Sequence, residues 1–254
     1  MRAWLWQRRY GLGQIVLVVA AIQVYEAFRR LIDPDWPAAM ANARRIADAE
    51  KLFGLDWEGW LQQVFLGVPD LVQAMNIFYF VGHFLLTALF FWWLYRRSRP
   101  GFSAFRDGFL VATALSLLIH WKFPTAPPRL ADVGLVDTLR QLSNIDIGSD
   151  QASNYYNPVA AVPSLHAAYA VGVGVGLVRY AARWWSRAVG VVYPLAVVLT
   201  IVVTGNHFFL DAVAGVVVLG AGFLVAWSVR ARRRAPRGPS GGTIAAATRG
   251  GAVR

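Results

Sequence analysis

Six side chains that can bind phosphate or transfer protons lie between residues 122 and 211, in three short segments. They are Lys122 and Arg129, then Ser164 and His166, then His207 and Asp211. A guanidinium offers a planar fork of donors that suits phosphate, and an imidazole can act as a nucleophile or as a proton donor. Two histidines beside a group of cations therefore indicate phosphoryl transfer through a phosphohistidine. We expect no metal ion, because a site that holds lysine and arginine repels cations.

The local sequence of each segment favours convergence of these side chains. Prolines between Lys122 and Arg129 keep that stretch out of a helix, so both cationic heads can turn toward one anion. A proline directly before Ser164 favours the start of a helix, whose unpaired N–H groups attract an anion. His207 and Asp211 are four positions apart on one helix face, where the carboxylate can fix the tautomer of the imidazole.

The elements that must position these residues are predicted to be transmembrane helices. Apolar residues make up 57% of the 254 residues and charged residues only 15%, which excludes an ordinary soluble domain and a disordered chain. Six apolar stretches approach or reach the length of a membrane span, about 20 residues. They cover roughly residues 11–28, 69–95, 108–121, 163–180, 188–204 and 208–229. The third reaches that length only if residues 102–107 extend it.

The distribution of basic residues predicts the orientation of the chain. The net charge is +11, and alternate loops and tails carry 17 and 8 of the 25 lysines and arginines. Basic residues placed between apolar runs indicate membrane topology and not a nucleic-acid surface. Because basic loops stay in the cytoplasm, we expect both termini inside and the motif residues at the extracytoplasmic face of a plasma (inner) membrane.

Three segments are predicted not to cross the membrane. Residues 37–67, which connect spans one and two, mix charges with Trp57 and Trp60. This composition is typical of an amphipathic helix that lies in the interface between membrane and water. Residues 131–162 form a long polar loop, of a kind that is usually functional or disordered. The predicted domains are therefore a six-span membrane domain over 1–230 and a disordered, basic cytoplasmic tail over 231–254.

The motif residues, taken in order, resemble the type 2 phosphatidic acid phosphatase superfamily. Its patterns are K-x6-R-P, P-S-x-H and S-R-x5-H-x3-D, and the resemblance covers about residues 76–229. The matching segments are Lys122-x6-Arg129, Pro163-Ser164-Leu165-His166 and His207-x3-Asp211.

This resemblance implies an all-α membrane protein and a role for each motif residue. His207 would be the nucleophile, His166 the acid that protonates the leaving oxygen, and Asp211 the residue that orients His207. The residues that hold the phosphate would be Lys122, Arg129 and Ser164.

The departures from the family pattern concern charge at the phosphate. Leu130 replaces a proline, and Thr200 and Ile201 stand where the third motif has Ser-Arg. The missing arginine weakens charge neutralisation in the transition state unless another group replaces it. Asn206 is the nearest candidate for binding phosphate, and its alternative role is to cap the last helix. Residues 123–129 and 205–207 are more similar to the inositol phosphorylceramide synthase branch, which transfers a phospho-headgroup to an alcohol.

A further polar set on the second predicted span is spaced to share one helix face. Asn76, then Tyr79 or Phe80, and then His83 lie at positions i, i+3 or i+4, and i+7. We hypothesise that they bind the lipid headgroup or the acceptor, and the alternative is a hydrogen bond between helices. His120, which precedes Trp121, is interpreted as an interfacial residue.

Together these features favour an integral-membrane enzyme that uses no cofactor and acts on a lipid phosphate as phosphotransferase or phosphatase. The acceptor is water or an alcohol, such as inositol or another lipid. A transporter or flippase for an anionic lipid is the alternative, although no clear internal repeat is present and the polar residues lie at span ends. A scaffold without activity would be expected to have lost one of the two histidines, and neither is lost.

Overall fold

The computed structural model describes residues 2–30, 34–144 and 157–234, and these residues fold into helices joined by loops. The helices are α1 (Arg2–Arg30), α2 (Trp36–Phe53), α3 (Glu58–Leu66), α4 (Pro69–Ile77), α5 (His83–Arg97), α6 (Arg99–Lys122), α7 (Thr138–Ser143), α8 (Leu165–Tyr180), α9 (Trp184–Val203) and α10 (Phe209–Arg234). A π-helical turn, Phe78–Gly82, joins α4 to α5, and a 3-10 turn covers Pro128–Leu130. The described residues contain no strand, which confirms the all-α prediction.

Five helical segments are long and apolar enough to cross a membrane. They are Gly11–Arg30, Pro69–Arg97, Arg99–Lys122, Trp184–Val203 and Phe209–Arg233. The third predicted span was too short without the residues that precede it, and in the structure its helix begins at Arg99 and is long enough to cross a membrane. The remaining predicted span corresponds to α8, which has only 16 residues. At 1.5 Å per residue such a helix rises about 24 Å, less than the roughly 30 Å of a bilayer core, so a sixth crossing stays a prediction.

The helix ends follow from local sequence signals. Asp35 accepts a hydrogen bond from the Ala38 N–H and caps α2, and Ser98 does the same for Gly101 in α6. α2 ends at Gly54, whose φ of 65° lies in the left-handed region that favours glycine. α10 continues to Arg234, four residues into the predicted tail, and the rest of that tail lies outside the described residues, as does 145–156 of the predicted polar loop.

α8 packs against α5, α6, α9 and α10 and forms the centre of the bundle. Small residues allow this close packing, since a Cβ added at Gly174 would lie 2.3 Å from the Gly190 carbonyl oxygen of α9. An aromatic cluster that includes Phe90, Phe105 and Phe109 fills the core around α5, α6 and α8. The helices that carry the second and third motif segments are therefore held against each other by the main core.

The predicted amphipathic segment forms α2 and α3, which pack over one end of the bundle. Alanines of α2 contact the loops that follow α6 and precede α8, together with Phe208 before α10. Phe53, Trp57 and Trp60 lie on the outer surface and are exposed. An interfacial position for these two helices stays a prediction.

Candidate active site

The second and third motif segments meet at the end of the bundle that α2 and α3 cover. The ring centroids of His166 and His207 lie 5.8 Å apart, and both side chains are buried. His166 comes from the first turn of α8, and His207 lies in the turn before α10. Two imidazoles at this separation can both contact one bound phosphoryl group.

One ring nitrogen of His207 is held by the protein. Its Nδ1 lies 3.0 Å from the Ala161 carbonyl oxygen and 3.3 Å from Asp211 Oδ2. The same carboxylate oxygen accepts a hydrogen bond from the Phe208 N–H at 2.9 Å. Because a carbonyl oxygen only accepts, Nδ1 must carry the proton, and the neutral ring keeps its lone pair on Nε2. That nitrogen is the one available for nucleophilic attack.

Ser164 begins α8 and links it to α10. Its Oγ accepts a hydrogen bond from the Ala167 N–H at 3.3 Å, and its own N–H donates to the Asp211 carbonyl oxygen at 3.0 Å. The cap uses an oxygen lone pair, so the hydroxyl proton remains available for an anion. Nε2 of His166, two residues later, is buried and has no hydrogen-bond partner among the described residues.

Arg129 is buried in the loop after α6, with two of its three guanidinium nitrogens engaged. Nε donates to Asn206 Oδ1 and Nη1 to Asp137 Oδ2, each at 3.0 Å. Its backbone N–H donates to the Gly205 carbonyl oxygen, so the first motif segment is joined to the turn before His207. Nη2 has no partner within the described parts of the chain, which leaves one terminal donor group for an anion.

Asn206 is a partner of Arg129 in the structure. Its Oδ1 accepts from that guanidinium, and its Nδ2 donates to Thr204 Oγ1 at 2.7 Å. The N–H that directly precedes the following helix, that of Phe208, is instead bonded to Asp211. Asn206 therefore acts on the charge at this site through Arg129, and direct contact with phosphate stays a prediction.

Lys122 lies at the carboxyl end of α6 and is exposed. Its ammonium lies 3.7 Å from the centre of the Trp121 ring, a cation–π contact. In the described residues no hydrogen bond joins Lys122 to the other motif side chains. Its predicted contact with phosphate would require the flexible side chain to leave the indole ring.

The π-helical turn between α4 and α5 places two aromatic side chains against His166. The Tyr79 ring stacks on His166 at 4.2 Å, and the His83 ring lies 5.0 Å from it. Nδ1 of His83 is 2.9 Å from the Tyr193 hydroxyl, and its Nε2 is buried without a partner among the described residues. Turns of this kind are frequent at functional sites because they shift the helical register.

Asn76, the third member of that set, is used in packing between helices. Its Nδ2 donates to the Thr138 carbonyl oxygen at 2.9 Å and to Ser143 Oγ at 3.0 Å. Its Oδ1 accepts from the Thr138 hydroxyl. This is the alternative interpretation of the residue, a hydrogen bond between helices, here between α4 and α7.

Sequence reasoning missed several buried polar residues that hold the site. Gln62 of α3 donates to the Val136 and Val203 carbonyl oxygens, each at 3.1 Å, and ties the loop after α6 to the end of α9. His120 is buried against the Pro163 carbonyl oxygen, whereas the sequence predicted an interfacial position. Glu50 and Glu58 also belong to this group, and the half-buried Tyr193 contacts His83. For His120 and Tyr193 the available signal was a polar side chain within an apolar segment, whereas Glu50, Glu58 and Gln62 lie in the charged segment 37–67, where nothing distinguishes them from their neighbours.

Among the described residues, no group of three or more histidine, aspartate or glutamate side chains is arranged to hold a metal ion. A family model described as the PAP2 superfamily matches residues 44–225, more than half of the chain, and the matched range includes all three motif segments. No curated protein and no solved structure gave a significant match.

Proposed function

Because the chain belongs to the PAP2 superfamily, a family of phosphatases and phosphotransferases, we propose that it transfers phosphoryl groups of a lipid phosphate through a phosphohistidine on His207. The observation that carries this proposal is the buried pair of His166 and His207, with centroids 5.8 Å apart. The contacts of Ala161 and Asp211 at Nδ1 support it, since they leave Nε2 as the nucleophilic nitrogen. In this proposal the site faces the extracytoplasmic side of the membrane.

In the first step, Nε2 of His207 attacks phosphorus, and the bond from phosphorus to the leaving oxygen breaks. His166 donates a proton to that oxygen, so the departing group leaves as an alcohol. The carboxylate of Asp211 balances the positive charge that develops on the His207 ring. The groups that hold the non-bridging oxygens are the free nitrogen of Arg129, the Ser164 hydroxyl, the N–H groups at the start of α8 and, once it turns inward, Lys122.

In the second step, an acceptor hydroxyl attacks the phosphohistidine. The acceptor gives its proton to His166, the phosphorus–nitrogen bond breaks, and His207 returns to its neutral form. We propose an alcohol such as inositol, or another lipid, as acceptor, with Tyr79 and His83 beside it. The contacts of both rings with His166 support this assignment, because the acceptor must lie near the group that takes its proton.

The function is tested by incubating the purified protein with lipid phosphates in detergent and excess chelator, with and without inositol, followed by mass analysis of the products. We expect turnover and a phosphorylated enzyme with wild type. His207→Ala should lose both, because the loss of the nucleophile raises the barrier by several kcal/mol. Wild-type turnover by His207→Ala would contradict the mechanism. Movement of lipid between leaflets without any product would support the transporter alternative.

The acid role of His166 is tested with substrates that differ in their leaving group. A good leaving group, such as a nitrophenolate, departs without protonation, whereas an alkoxide does not. His166→Ala should therefore still form phosphoenzyme from a nitrophenyl phosphate and lose this step with an alkyl phosphate. Equal losses for both substrates would remove the general-acid assignment.

The acceptor role of His83 is tested by the fate of the phosphohistidine. His83→Gln should lower the ratio of headgroup-transfer product to free phosphate on the order of 10-fold, the effect of about one lost hydrogen bond to the acceptor. Phosphoenzyme formation in the first step should change far less. A variant that loses transfer and hydrolysis in equal proportion would contradict the assignment.

A further inference from the structure

Two buried glutamates outside the motif segments bind the amino end of α10. Glu50 lies in the last turn of α2 and is 1% exposed, and Glu58 opens α3 and is 4% exposed. Oε1 of Glu50 accepts a hydrogen bond from the Leu210 N–H at 2.7 Å. Oε1 of Glu58 accepts from the Phe209 N–H at 3.2 Å. Both glutamates therefore satisfy N–H groups that a helix cannot pair within its own first turn.

These contacts continue the one made by Asp211. The preceding N–H group, that of Phe208, is bonded to the Asp211 carboxylate, so three consecutive N–H groups have carboxyl partners. Negative charge at the amino end of a helix is favourable, because the helix dipole is positive there. His207 immediately precedes this turn, and its backbone position depends on the same set of hydrogen bonds.

The two glutamates also contact each other. Glu58 lies within hydrogen-bonding reach of Glu50, and such a bond requires a proton on one carboxyl group, because carboxylates are acceptors only. Burial raises the pKa of Glu50 from 4.5 to about 9, with further contributions from the hydrogen bond to Glu58 and from the charges of Glu58 and Asp211. The pair therefore holds one proton at neutral pH.

We propose that Glu50 and Glu58 are positioning residues for His207: as one carboxylic acid and one carboxylate, they fix the first turn of α10 from two helices outside the motif segments. The inference rests on the catalytic role proposed for His207. Loss of the shared proton leaves two negative charges in a buried site beside Asp211. Their repulsion weakens the contact of α2 and α3 with α10, and the geometry of His207 is lost with it.

Apart from the buried Asp211, the charged groups beside the pair are those that line a neighbouring cavity, and they are exposed. A cavity of about 450 Å³ borders both glutamates, between α2, α3 and the loop after α6. The other charged side chains that line it are Arg44, Asp48, Lys51, Asp56 and Asp132. All five are exposed, and Asp48 pairs with Lys51 at 3.5 Å. Because exposed charges are screened by water and salt, we assign the alkaline transition expected here to the buried pair.

Three variants test the inference through the pH dependence of lipid phosphate turnover between pH 6 and 10. Glu50→Ala removes the acceptor of the Leu210 N–H, and Glu50→Gln keeps the acceptor and cannot lose a proton. Asp48→Asn, an exposed carboxylate of the same helix, is the matched control. We expect Glu50→Ala to lower kcat on the order of 10- to 100-fold with little change in KM, the effect of a small misplacement of a reacting group.

Glu50→Gln should recover most of that loss at neutral pH. Wild type and Asp48→Asn should lose activity with a midpoint near pH 9, because Glu50 then loses its proton, and Glu50→Gln should lack this transition. An alkaline transition in Glu50→Gln equal to that of wild type would overturn the proposal. Unchanged kcat in a folded Glu50→Ala would do the same. If Glu50→Ala does not fold, the proposal is still tested by comparing the alkaline transition of wild type with that of Glu50→Gln.

A measurement without substrate separates this inference from the proposed function. The thermal unfolding midpoint of wild type should fall as the pH rises toward 9, since the folded state binds a proton there that the unfolded chain has released. The midpoint of Glu50→Gln should lack this decline. If wild type transfers no phosphate but shows this difference, the function proposal has failed and the shared proton stands. If the unfolding midpoints of the two proteins changed with pH in the same way, the pair would not share a proton.

Discussion

At the scale of single residues, the buried cation of the site is held in place before any anion binds. Arg129 is bonded through Nε and Nη1 to Asn206 and Asp137, so its side chain has a single orientation. A guanidinium fixed in this way loses little further freedom when its third nitrogen binds phosphate. Asn206 thus compensates in part for the arginine missing from the third motif, because it orients Arg129.

Because Arg129 uses several guanidinium donors at once, we predict that another cationic residue cannot take its place. Arg129→Lys keeps the positive charge but cannot bond both Asn206 and Asp137 and still reach phosphate. We expect kcat/KM to fall about 100-fold, the typical effect of losing one donor that stabilises developing charge. Arg45→Lys, at an exposed arginine of α2, is the control and should stay at the wild-type value. A change of less than twofold in Arg129→Lys would show that only its charge matters.

At the scale of helices, the relative position of the two histidines depends on how closely α8 and α10 cross. Gly215 of α10 packs against the start of α8, and a Cβ added there would lie 2.2 Å from the Ser164 carbonyl oxygen. Backbone atoms cannot move aside as a flexible side chain can. The absence of a side chain at this position therefore sets the approach of the helix bearing Asp211 to the segment bearing His166.

Gly215→Ala should separate α8 from α10 and impair the site. Overpacking of this kind typically costs about 1–3 kcal/mol of stability. We expect a lower thermal unfolding midpoint and slower formation of phosphoenzyme. Gly220→Ala, on the same helix with no atom within 4 Å of the added Cβ, should gain up to about 1 kcal/mol from helix propensity and keep its activity. Equal behaviour of the two variants would contradict this account of the crossing.

At the scale of the whole molecule, α2 and α3 cover the end of the bundle where the motif segments meet. They bury the loops that carry Arg129 and the turn before His207, while their outer surface exposes Trp57 and Trp60. Aromatic residues of this kind prefer the boundary between lipid and water. The arrangement supports a site at the membrane surface, closed from one side by these two helices.

The orientation of the molecule can be tested because the sequence contains no cysteine. Trp57→Cys in the α2–α3 region and Arg232→Cys near the end of α10 place single thiols on exposed positions. If the site faces away from the cytoplasm, an impermeant maleimide added to intact cells should label the first variant and not the second. Labelling of Arg232→Cys should appear only after lysis. The reverse pattern would place the site on the cytoplasmic side.

Features that depend on neighbouring residues could be predicted from the sequence. Apolar runs predicted the all-α fold, and five of the predicted spans correspond to helices long enough to cross a membrane. The spacing of His207 and Asp211 predicted their contact, which the structure contains, although His207 lies just before α10 and only Asp211 is on the helix. The three motif segments predicted the family, which the match over residues 44–225 confirms at the superfamily level, while the synthase-like branch stays a prediction.

The tertiary structure decided which distant polar groups complete the site. Glu50 binds a backbone group 160 positions away, and Gln62 binds one 141 positions away. It also divided the polar set of the second span, since His83 faces His166 while Asn76 binds α7. Periodicity within one segment shows which face of a helix is polar. It does not show which helix that face will meet, because the meeting depends on how all the helices pack together.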